Sequence, residues 1–391
     1  MYEWVIIGGG IQGMTLAAYL MKTGKTKADE LAVVDRHAEP LANWKRSTKV
    51  ISMPYLRSPS VHHIDVDPFS LQSFVKKGSY HKRTAFYGLY KRPSLEVFND
   101  HCEHLFNDLS IKETWVQGHV QGALKTNDGW QVHLKNGSEI HGKRLVLAIG
   151  IGEQLNMPDW AIDLDSQYPR RVYHIFDETM PEFDAMKLPI TIIGGGITSI
   201  HLALKLSELY PNQVTLLKRH PFRIHDFDSD PGWLGPKRQN AFRNIESYVK
   251  RREEIITARH RGSIPHDLHI KLLNRVKNGS LAVKEGKVVR GEVKNGSIHL
   301  FDKEGKFIAQ TGTVLLATGY LPSLPGSEWI KPMIETLELP CAECGYPIVS
   351  KTLQWGPDLY VTGALAELEM GPIARNISGA RQAAERIVKH L

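Results

Sequence analysis

Cysteine and long apolar runs are both scarce in this sequence. The 391 residues contain three cysteines, which excludes a small secreted fold held by several disulfides and favours a reducing compartment. Every apolar run falls well short of the roughly 20 residues that a membrane helix needs. Glu3 and the glycines after it also interrupt the N-terminus where a signal peptide keeps its apolar core. We therefore expect a cytoplasmic protein with no membrane segment.

Clustered metal ligands and a continuous basic patch are lacking as well. A zinc site needs four ligands, and the chain offers only one Cys-x-x-Cys pair, Cys341 and Cys344. The net charge is +7, yet the basic residues are interleaved with acids, as in Lys250-Arg251-Arg252-Glu253-Glu254. This pattern is typical of a solvated helix face. We predict no metal and no nucleic-acid partner.

The N-terminus carries a glycine-rich turn between two apolar segments. Residues 4–7 predict a buried strand and residues 14–22 a helix, with Gly8, Gly10 and Gly13 between them. Gly8 permits a tight turn, Gly10 lets the backbone approach a pyrophosphate, and Gly13 allows close packing of helix on strand. The helix N-terminus would face the phosphates.

An acidic residue follows the next predicted strand. Residues 31–34 are apolar and end on Asp35, where a carboxylate accepts the ribose hydroxyls of an adenine nucleotide. Strand, turn, helix and acid in this order predict the first βα unit of a dinucleotide-binding fold. The alternative is a glycine-rich turn in another α/β fold.

Residues 38–67 predict a long irregular segment that returns across the carboxyl ends of the sheet, where ligands bind in open α/β folds. Trp44 is placed to cover a flat ring, and Arg57 to meet a phosphate or carboxylate. Lys45 and His63 are further candidates for lining a substrate pocket. The competing interpretations are a partly buried core tryptophan and a surface arginine.

The next stretch predicts a helix and a small meander. Ser94 is positioned to cap a helix with apolar residues at helical spacing, and Cys102 on that face reads as a core thiol. Residues 115–147 alternate between apolar and polar and contain two turn signals, which predicts an antiparallel meander. It ends in an apolar strand stopping at Gly150.

The opening pattern then repeats. Residues 189–199 again give a strand followed by glycines, here Gly194 and Gly196, with Ser199 in the third glycine's place and a helix predicted over 200–209. The partner strand, 214–217, ends on Lys218 and Arg219. A cation at that point suits a 2′-phosphate, so we predict that the second site prefers NADP over NAD. The alternative is that both side chains are simply solvated.

Residues 220–237 predict a long loop or lid, and residues 281–310 a second meander. An apolar strand ending at Gly319 follows, so two strand-to-glycine exits bracket the repeat. We predict an α/β fold with two Rossmann-like dinucleotide-binding domains, each with a small antiparallel meander. The second, over residues 186–312, would be inserted into the first, which comprises 1–185 and 313–391.

The C-terminal segment predicts a strand ending at Gly363 and a helix from about Ile373 to His390. The start of that helix, around Asn376, offers backbone donors to negative charge. If it points at the pyrimidine edge of a flavin, it would stabilise an anionic reduced ring.

Together these motifs resemble the two-dinucleotide-binding flavoproteins, and most closely the flavin-dependent N-hydroxylating monooxygenases of the lysine and ornithine hydroxylase type. The resemblance rests on the two glycine turns, on Leu316-Ala317-Thr318-Gly319-Tyr320, and on the Gly363 strand that leads to Asn376. It implies FAD at the first turn and NADPH at the second. The implied FAD contacts are Gly8, Gly10, Gly13, Asp35, Gly363 and Asn376, and the implied NADPH contacts are Gly194, Gly196, Ser199 and Arg219. Further predicted cofactor contacts are Ile11, Gln12, Arg36, Trp44, Gly150, Lys218, Gly319 and Ile373.

The resemblance also implies an activity. NADPH would reduce FAD, the flavin would take up oxygen as a C4a-hydroperoxide, and a small amine would be hydroxylated. The partners would be a small-molecule amine or amino acid and molecular oxygen. Two alternatives stay open: an NADPH-dependent flavin reductase, including a disulfide reductase that uses Cys341 and Cys344, and a flavin-binding sensor.

Overall fold

Two open parallel sheets organise the chain. The computed structural model describes residues 1–391, apart from the side chain of Lys82. The strands are β1 (Tyr2–Ile7), β2 (Leu31–Asp35), β3 (Phe86–Tyr87), β4 (Arg92–Pro93), β5 (Trp115–Gln117), β6 (Val120–Thr126), β7 (Gly129–Leu134), β8 (Glu139–Leu147), β9 (Val172–His174), β10 (Ile190–Ile193), β11 (Val214–Lys218), β12 (Arg223–Ile224), β13 (Ser263–Ile264), β14 (Ala282–Glu285), β15 (Arg290–Lys294), β16 (Ser297–Phe301), β17 (Phe307–Thr311), β18 (Thr313–Leu316), β19 (Gln354–Gly356) and β20 (Leu359–Val361).

Helices cover and connect these sheets. The α-helices are α1 (Ile11–Lys22), α2 (Ala42–Val50), α3 (Ser70–Lys77), α4 (Lys82–Ala85), α5 (Leu95–Asp108), α6 (Ile111–Thr114), α7 (Asp159–Gln167), α8 (Ile197–Leu209), α9 (Pro236–Arg243), α10 (Tyr248–Ala258), α11 (His266–Lys277), α12 (Ser327–Thr336), α13 (Glu367–Met370) and α14 (Ile377–Val388). Short 3₁₀ helices occupy Ala28–Glu30, Phe183–Ala185, Pro231–Leu234, Gly363–Ala366 and Gly371–Arg375. No helix of the described chain is both long and apolar enough to pass through a membrane.

The first sheet has the strand order β19-β20-β8-β1-β2-β5. Strand β1 is buried and pairs in parallel with both β2 and β8, so that Val5 lies opposite Ala32 on one side and Leu145 on the other. Strands β6 and β7 form an antiparallel extension of β8. Near-continuous apolar runs such as β1 are what a parallel sheet covered on both faces requires.

The second sheet has the order β14-β11-β10-β18-β9, with every pairing parallel. Helices α8 and α11 bury their apolar residues against one face of it. The other face packs against α7 and an antiparallel sheet formed by β15, β16 and β17. The predicted α/β class, with two Rossmann-like units that each carry a meander, is confirmed.

Three features differ from the sequence expectations. Strands β9 and β18 pair within the second sheet although they lie outside the range 186–312 predicted for that unit. Strand β5 pairs in parallel with β2, and β14 with β11, so each meander is shorter than predicted. Residues 38–67 are also less irregular than expected because they contain α2. A short apolar strand has the same sequence pattern in either sheet, so periodicity alone does not show which strand it pairs with.

Helix boundaries also differ. Helices α1 and α8 begin three residues earlier than predicted, directly after Gly10 and Gly196. Helix α5 begins as predicted, because the Ser94 hydroxyl accepts a hydrogen bond from the backbone N–H of Val97 at 3.2 Å. The predicted C-terminal helix is divided, with a 3₁₀ helix over Gly371–Arg375 ahead of α14.

The two units are joined by a pair of linkers that run side by side. The backbone N–H of Asn156 donates to the carbonyl of Gly319 at 2.9 Å, and that of Leu321 donates to the carbonyl of Gln154 at 2.7 Å. Leu155 and Tyr320 form an isolated antiparallel bridge between them. The chain therefore leaves and re-enters the first unit at one place.

Residues 220–237, predicted as a loop or lid, contain β12, a 3₁₀ helix and the start of α9. Trp233 and Phe242 pack with Leu368 and Ile373 of the C-terminal segment in one apolar cluster. This part of the second unit is therefore anchored onto the first unit.

Candidate functional site

A cavity of about 390 Å³ lies at the carboxyl ends of β1, β2 and β8. Its wall comprises residues 7–12, 34–37, 41–43, 118–120, 148–150, 152–154, 326–329 and 375. Carboxyl ends of parallel strands are where ligands bind in open α/β sheets. Of the residues predicted for the first nucleotide, this wall brings together Gly8, Gly10, Ile11, Gln12, Asp35, Arg36 and Gly150.

The first glycine turn uses its three glycines differently. Gly8 has φ of +110°, and a Cβ there would lie 2.6 Å from the carbonyl oxygen of Ala148. A Cβ on Gly13 would overlap the carbonyl oxygen of Gly8, whereas a Cβ on Gly10 would meet nothing within 4 Å. Gly8 and Gly13 are therefore required by the packing of turn, strand and helix. Gly10 leaves open space on the cavity side.

Asp35 fixes the glycine turn from the end of β2. Its Oδ2 accepts a hydrogen bond from the backbone N–H of Gly9 at 2.7 Å, and its Oδ1 accepts one from His37 at 2.9 Å. The side chain is 21% exposed and lies in the cavity wall, so its remaining lone pairs face the ligand space. The neighbouring Arg36 pairs with Glu178 at 2.6 Å and with Glu153 at 3.3 Å.

Gln12 contributes an unsatisfied acceptor to the same wall. Its Nε2 donates to the carbonyl oxygens of Ala374 at 3.0 Å and of Asn376 at 3.4 Å. Its Oε1 is buried without a hydrogen-bond partner among the described residues. Gly363 has φ of +64°, and a Cβ there would lie 3.0 Å from Gln12 Cγ. A buried acceptor left unpaired costs about 1–3 kcal/mol, so a donor on a ligand would be favoured here.

The predicted contacts of the C-terminal segment are placed differently. Ile373 is 1% exposed and packs among Trp233 and Phe242, which makes it a core residue rather than part of the cavity wall. Asn376 precedes α14, and its Nδ2 donates to Asp228 Oδ1 at 3.3 Å. The neighbouring Arg375 is the residue of this stretch that reaches the wall.

Trp44 and Lys45 point away from the cavity wall. The Trp44 indole N–H donates to Asn99 Oδ1 at 3.0 Å, and its ring packs 5.4 Å from that of Phe98. Lys45 Nζ pairs with Glu103 at 2.6 Å and with Glu39 at 3.0 Å. Residues 41–43, which directly precede Trp44 at the start of α2, form the cavity wall instead. Trp44 is therefore better interpreted as a partly buried core residue than as a cover for a flat ring.

Arg57 and His63 have structural contacts. The Arg57 guanidinium donates to the backbone carbonyls of Asp226 at 2.8 Å and His225 at 2.6 Å, which belong to the second unit. His63 is fully buried; its Nδ1 accepts from the N–H of Asp65 at 3.2 Å and its Nε2 lies 3.1 Å from the Pro68 carbonyl. Burial lowers the pKa of His63 to about 4. It is a neutral core histidine at pH 7.

In the second glycine turn the middle glycine also faces other parts of the chain, unlike Gly10 of the first turn. Gly194 has φ of +154°, and a Cβ there would lie 2.7 Å from the carbonyl oxygen of Ala317. A Cβ on Gly196 would lie 3.2 Å from the Cα of Gly262. The Ser199 hydroxyl donates to the carbonyl of Gly196 at 2.8 Å and is fully buried, so it is satisfied within the helix.

The two cations after β11 are not equivalent. Lys218 Nζ forms an ion pair with Glu285 on the neighbouring strand, and its side chain is only 11% exposed. Arg219 is exposed. A 2′-phosphate at this point would therefore meet Arg219 more readily than Lys218. Gly319 lies beyond β18, and its carbonyl lies 3.0 Å from His174 Nε2, which places it in the linker pair.

Several wall residues lay outside the sequence prediction. Arg375 donates through Nε and Nη2 to Glu367 at 2.7 and 2.9 Å, and so presents a fixed cation to the cavity. Asn43 accepts from Arg46 Nη2 at 2.9 Å, and Trp329 comes from α12, far along the chain. The proximity of Arg375 to Asn376 was a usable signal. For Trp329 the sequence gives none.

These features fit a dinucleotide in the first cavity. The helix N-terminus follows Gly10 with open space beside it, an acid lies at the end of β2, and a buried acceptor on Gln12 lacks a partner. Among the described residues, no group of three or more His, Cys, Asp or Glu is arranged to hold a metal. The second turn offers a helix N-terminus without acids in its first turn and the exposed Arg219.

Comparisons with known proteins agree with this geometry. A family model for FAD-NAD(P)-binding proteins matches residues 5–152, which contain the first turn and most of the cavity wall. No curated protein matches the chain by sequence.

Solved structures match the whole chain. The ornithine N-hydroxylase of Kutzneria sp. 744, solved with reduced FAD, NADP⁺ and L-ornithine, has a TM-score of 0.80 at 15% identity, with 100% of this chain and 98% of that chain covered. L-lysine 6-monooxygenase from Pseudomonas syringae has a TM-score of 0.74 at 16% identity, with 100% and 99% covered. A bacillithiol disulfide reductase from Staphylococcus aureus has a TM-score of 0.63 at 16% identity, with 100% and 97% covered. The resemblance predicted from the sequence is thus confirmed at the level of the fold, and the chain has the two-unit dinucleotide-binding fold of these enzymes over its whole length.

Proposed function

We propose that this protein is an FAD- and NADPH-dependent oxidoreductase, and that it is a monooxygenase that hydroxylates a small amine. The observation that carries the proposal is the full-length match to the ornithine N-hydroxylase, with a cavity at the first glycine turn. The match to the disulfide reductase covers the chain equally well but is less close, with a TM-score of 0.63 against 0.80.

FAD would be held in the first cavity. The backbone N–H groups at the start of α1 would bind the pyrophosphate, and Asp35 would accept ribose hydroxyls. Gln12 Oε1 would accept from a hydroxyl of the ligand, which removes the unsatisfied acceptor. Arg375, held by Glu367, would supply positive charge to a bound ring.

NADPH would bind at the turn that contains Gly194 and Gly196. The start of α8 would face the pyrophosphate, and Arg219 would pair with the 2′-phosphate. In this proposal the FAD unit comprises the first sheet and the C-terminal segment, and the NADPH unit comprises the second sheet.

When bound, the flavin would accept hydride from NADPH and activate molecular oxygen, which is chemistry that the cofactor supplies. The chain would position both cofactors and keep water away. The contacts of Trp233 and Phe242 with Ile373 hold the second unit against the C-terminal segment that carries Arg375 of the cavity wall. A small amine, such as ornithine or lysine, is the substrate class that the matched enzymes suggest. We also propose a cytoplasmic location.

The first competing function is a flavin reductase that passes electrons to a disulfide. The second is a flavin-binding sensor. Cys344 contacts Arg252, and Cys341 pairs with Pro347, whereas the cavity wall is built from other segments. This separation favours the monooxygenase over direct reduction of the Cys341–Cys344 pair.

The test is to supply NADPH, oxygen and one amine at a time to the FAD-loaded protein, and to measure hydroxylamine and hydrogen peroxide. A hydroxylamine formed in proportion to the oxygen consumed is the expected result for a good substrate. Quantitative release of peroxide with every amine of a broad panel would contradict the proposal. A double Cys341→Ser, Cys344→Ser variant is expected to retain turnover, and loss of turnover would favour the disulfide reductase.

A further inference from the structure

The Cys-x-x-Cys segment forms a turn between α12 and β19. The backbone N–H of Gly345 donates to the carbonyl of Ala342 at 2.8 Å, and Ala342 in turn donates to the carbonyl of Tyr346 at 2.9 Å. Both cysteines are free thiols; Cys341 is half-buried and Cys344 is exposed. The turn therefore presents one accessible thiol with a second thiol three residues away.

A fixed guanidinium contacts the accessible thiol. Arg252 Nη2 donates to Cys344 Sγ at 3.6 Å, and its guanidinium lies 3.9 Å from the centre of the Tyr346 ring. Arg252 is held from behind by an ion pair with the buried carboxylate of Glu367. The cation is thus positioned by three partners, one of which is the cysteine sulfur.

Arg252 lies between the Cys344 sulfur and a buried carboxylate. Glu367 is bound by two guanidinium groups, those of Arg252 and Arg375. Arg252 therefore contacts the sulfur while its carboxylate partner is shared with a second cation. A nearby cation stabilises a thiolate, which is the reactive form of cysteine. Cys102 offers the contrast, because it is 1% exposed in the core of the first unit.

We propose that Cys344 is a thiol–disulfide exchange site for small-molecule disulfides, with Cys341 as the resolving thiol. In the first step the Cys344 thiolate attacks one sulfur of the small disulfide, the S–S bond breaks, and one small thiolate leaves and takes a proton from water. In the second step Cys341 loses its proton and attacks Cys344 Sγ, which releases the second small thiol. Two electrons pass from the protein dithiol to the small disulfide, and the protein gains one Cys341–Cys344 disulfide.

One carboxylate links the exchange site to the cavity wall. Glu367 binds both Arg252, which contacts Cys344, and Arg375, which lies in the wall. The exchange itself needs only the two thiols and Arg252, so it does not depend on which reaction the first unit performs.

Oxidised glutathione is the probe that tests the exchange on the native full-length protein. Mass spectrometry of the wild-type protein is expected to show a Cys341–Cys344 disulfide with both glutathione halves released. The Cys341→Ser variant is expected to stop at a mixed disulfide on Cys344. A stable glutathione adduct on the wild-type protein, or initial attack by Cys341, would overturn the assignment of the two roles.

The role of Arg252 is tested by rates. Arg252 Nη2 donates to Cys344 Sγ, and a cation in contact with the sulfur favours its attack, so Arg252→Gln is expected to slow the first step about threefold. Arg252→Lys is the charge-conserving control and should lose less. The wild-type protein unfolded in urea gives a comparison that needs no variant, since Cys344 should react more slowly there. Equal rates in the native and unfolded protein would overturn the proposal.

Discussion

The two glycine turns of this protein follow the same pattern and use it differently. In the first turn Gly13 lies so close to strand β1 that a Cβ would overlap the carbonyl of Gly8. In the second turn Ser199 occupies the equivalent place, and its hydroxyl is satisfied by the carbonyl of Gly196. Helix α8 therefore accommodates a side chain where α1 does not. The two repeats share the strand–turn–helix path of the chain, but the distance between the helix and the turn differs between them.

The charges after the two second strands differ as well. Asp35 holds the first turn through Gly9 and faces the cavity, whereas Lys218 is paired with Glu285 and leaves Arg219 exposed. The acid thus has a structural role, and in the proposed FAD site it would also bind the ligand. In the proposed NADPH site these two roles would be divided between Lys218 and Arg219.

Exchanging the third position of the two turns should have the largest effect. Gly13→Ser is expected to lower the free energy of unfolding by about 3 kcal/mol, because α1 must move away from β1. Ser199→Gly should cost about 1 kcal/mol, the usual penalty for glycine in a helix. Urea unfolding of both variants measures the difference. Equal losses would show that the two helices pack alike.

Removing the first unit's acid should have the next largest effect. Asp35→Ala is expected to weaken FAD binding about 30-fold, or about 2 kcal/mol, because a charged acceptor is lost from both the ligand and Gly9. Fluorescence titration of the apoprotein with FAD gives the dissociation constant. Lys218→Ala is the matched control and should leave FAD affinity unchanged. If it weakens FAD binding as much as Asp35→Ala does, the ends of β2 and β11 do not bind separate nucleotides.

The smallest expected effect is on the preference for NADPH over NADH, and it should differ between Arg219 and Lys218. Arg219→Ala is expected to lower the preference for NADPH over NADH in flavin reduction about tenfold, which is about 1.4 kcal/mol. Lys218→Ala should lower it only about twofold, because Glu285 already neutralises that side chain. Anaerobic stopped-flow measurements with both nucleotides check this order. A larger loss in the Lys218 variant, or equal rates with NADPH and NADH in the parent protein, would contradict it.

Local chemistry made much of this molecule predictable. The glycine turns, Asp35 at the end of β2 and the Ser94 cap depend on residues close together in sequence, so their patterns carry the structure. The extent of the second unit was missed because β9 and β18 are short apolar runs that only tertiary contacts assign to a sheet. Propensity does not record which neighbour a buried strand takes.

The parts of the candidate site that are built from local motifs could be predicted from the sequence. The parts contributed by distant segments, such as the C-terminal segment, could not. Trp44 and His63 have residue types that suit a pocket, yet Asn99 and Pro68 give them ordinary structural partners. Arg375 reaches the cavity because Glu367, eight residues earlier, orients its guanidinium. Such pairs form because the fold brings the two side chains together, and no fixed spacing in the sequence indicates them.

The paired linkers limit how the two units can move. Residues 154–156 and 319–321 are hydrogen-bonded to each other, so the two chain crossings between the units form one double-stranded strip, and the apolar cluster of Trp233 and Phe242 joins the units at a second place. Arg57 joins the units at a third place, because its guanidinium donates to the carbonyls of His225 and Asp226 in the second unit. A hinge motion at the strip would therefore have to break the Arg57 hydrogen bonds and the Trp233 cluster, while the hydrogen bonds between the linkers could stay intact.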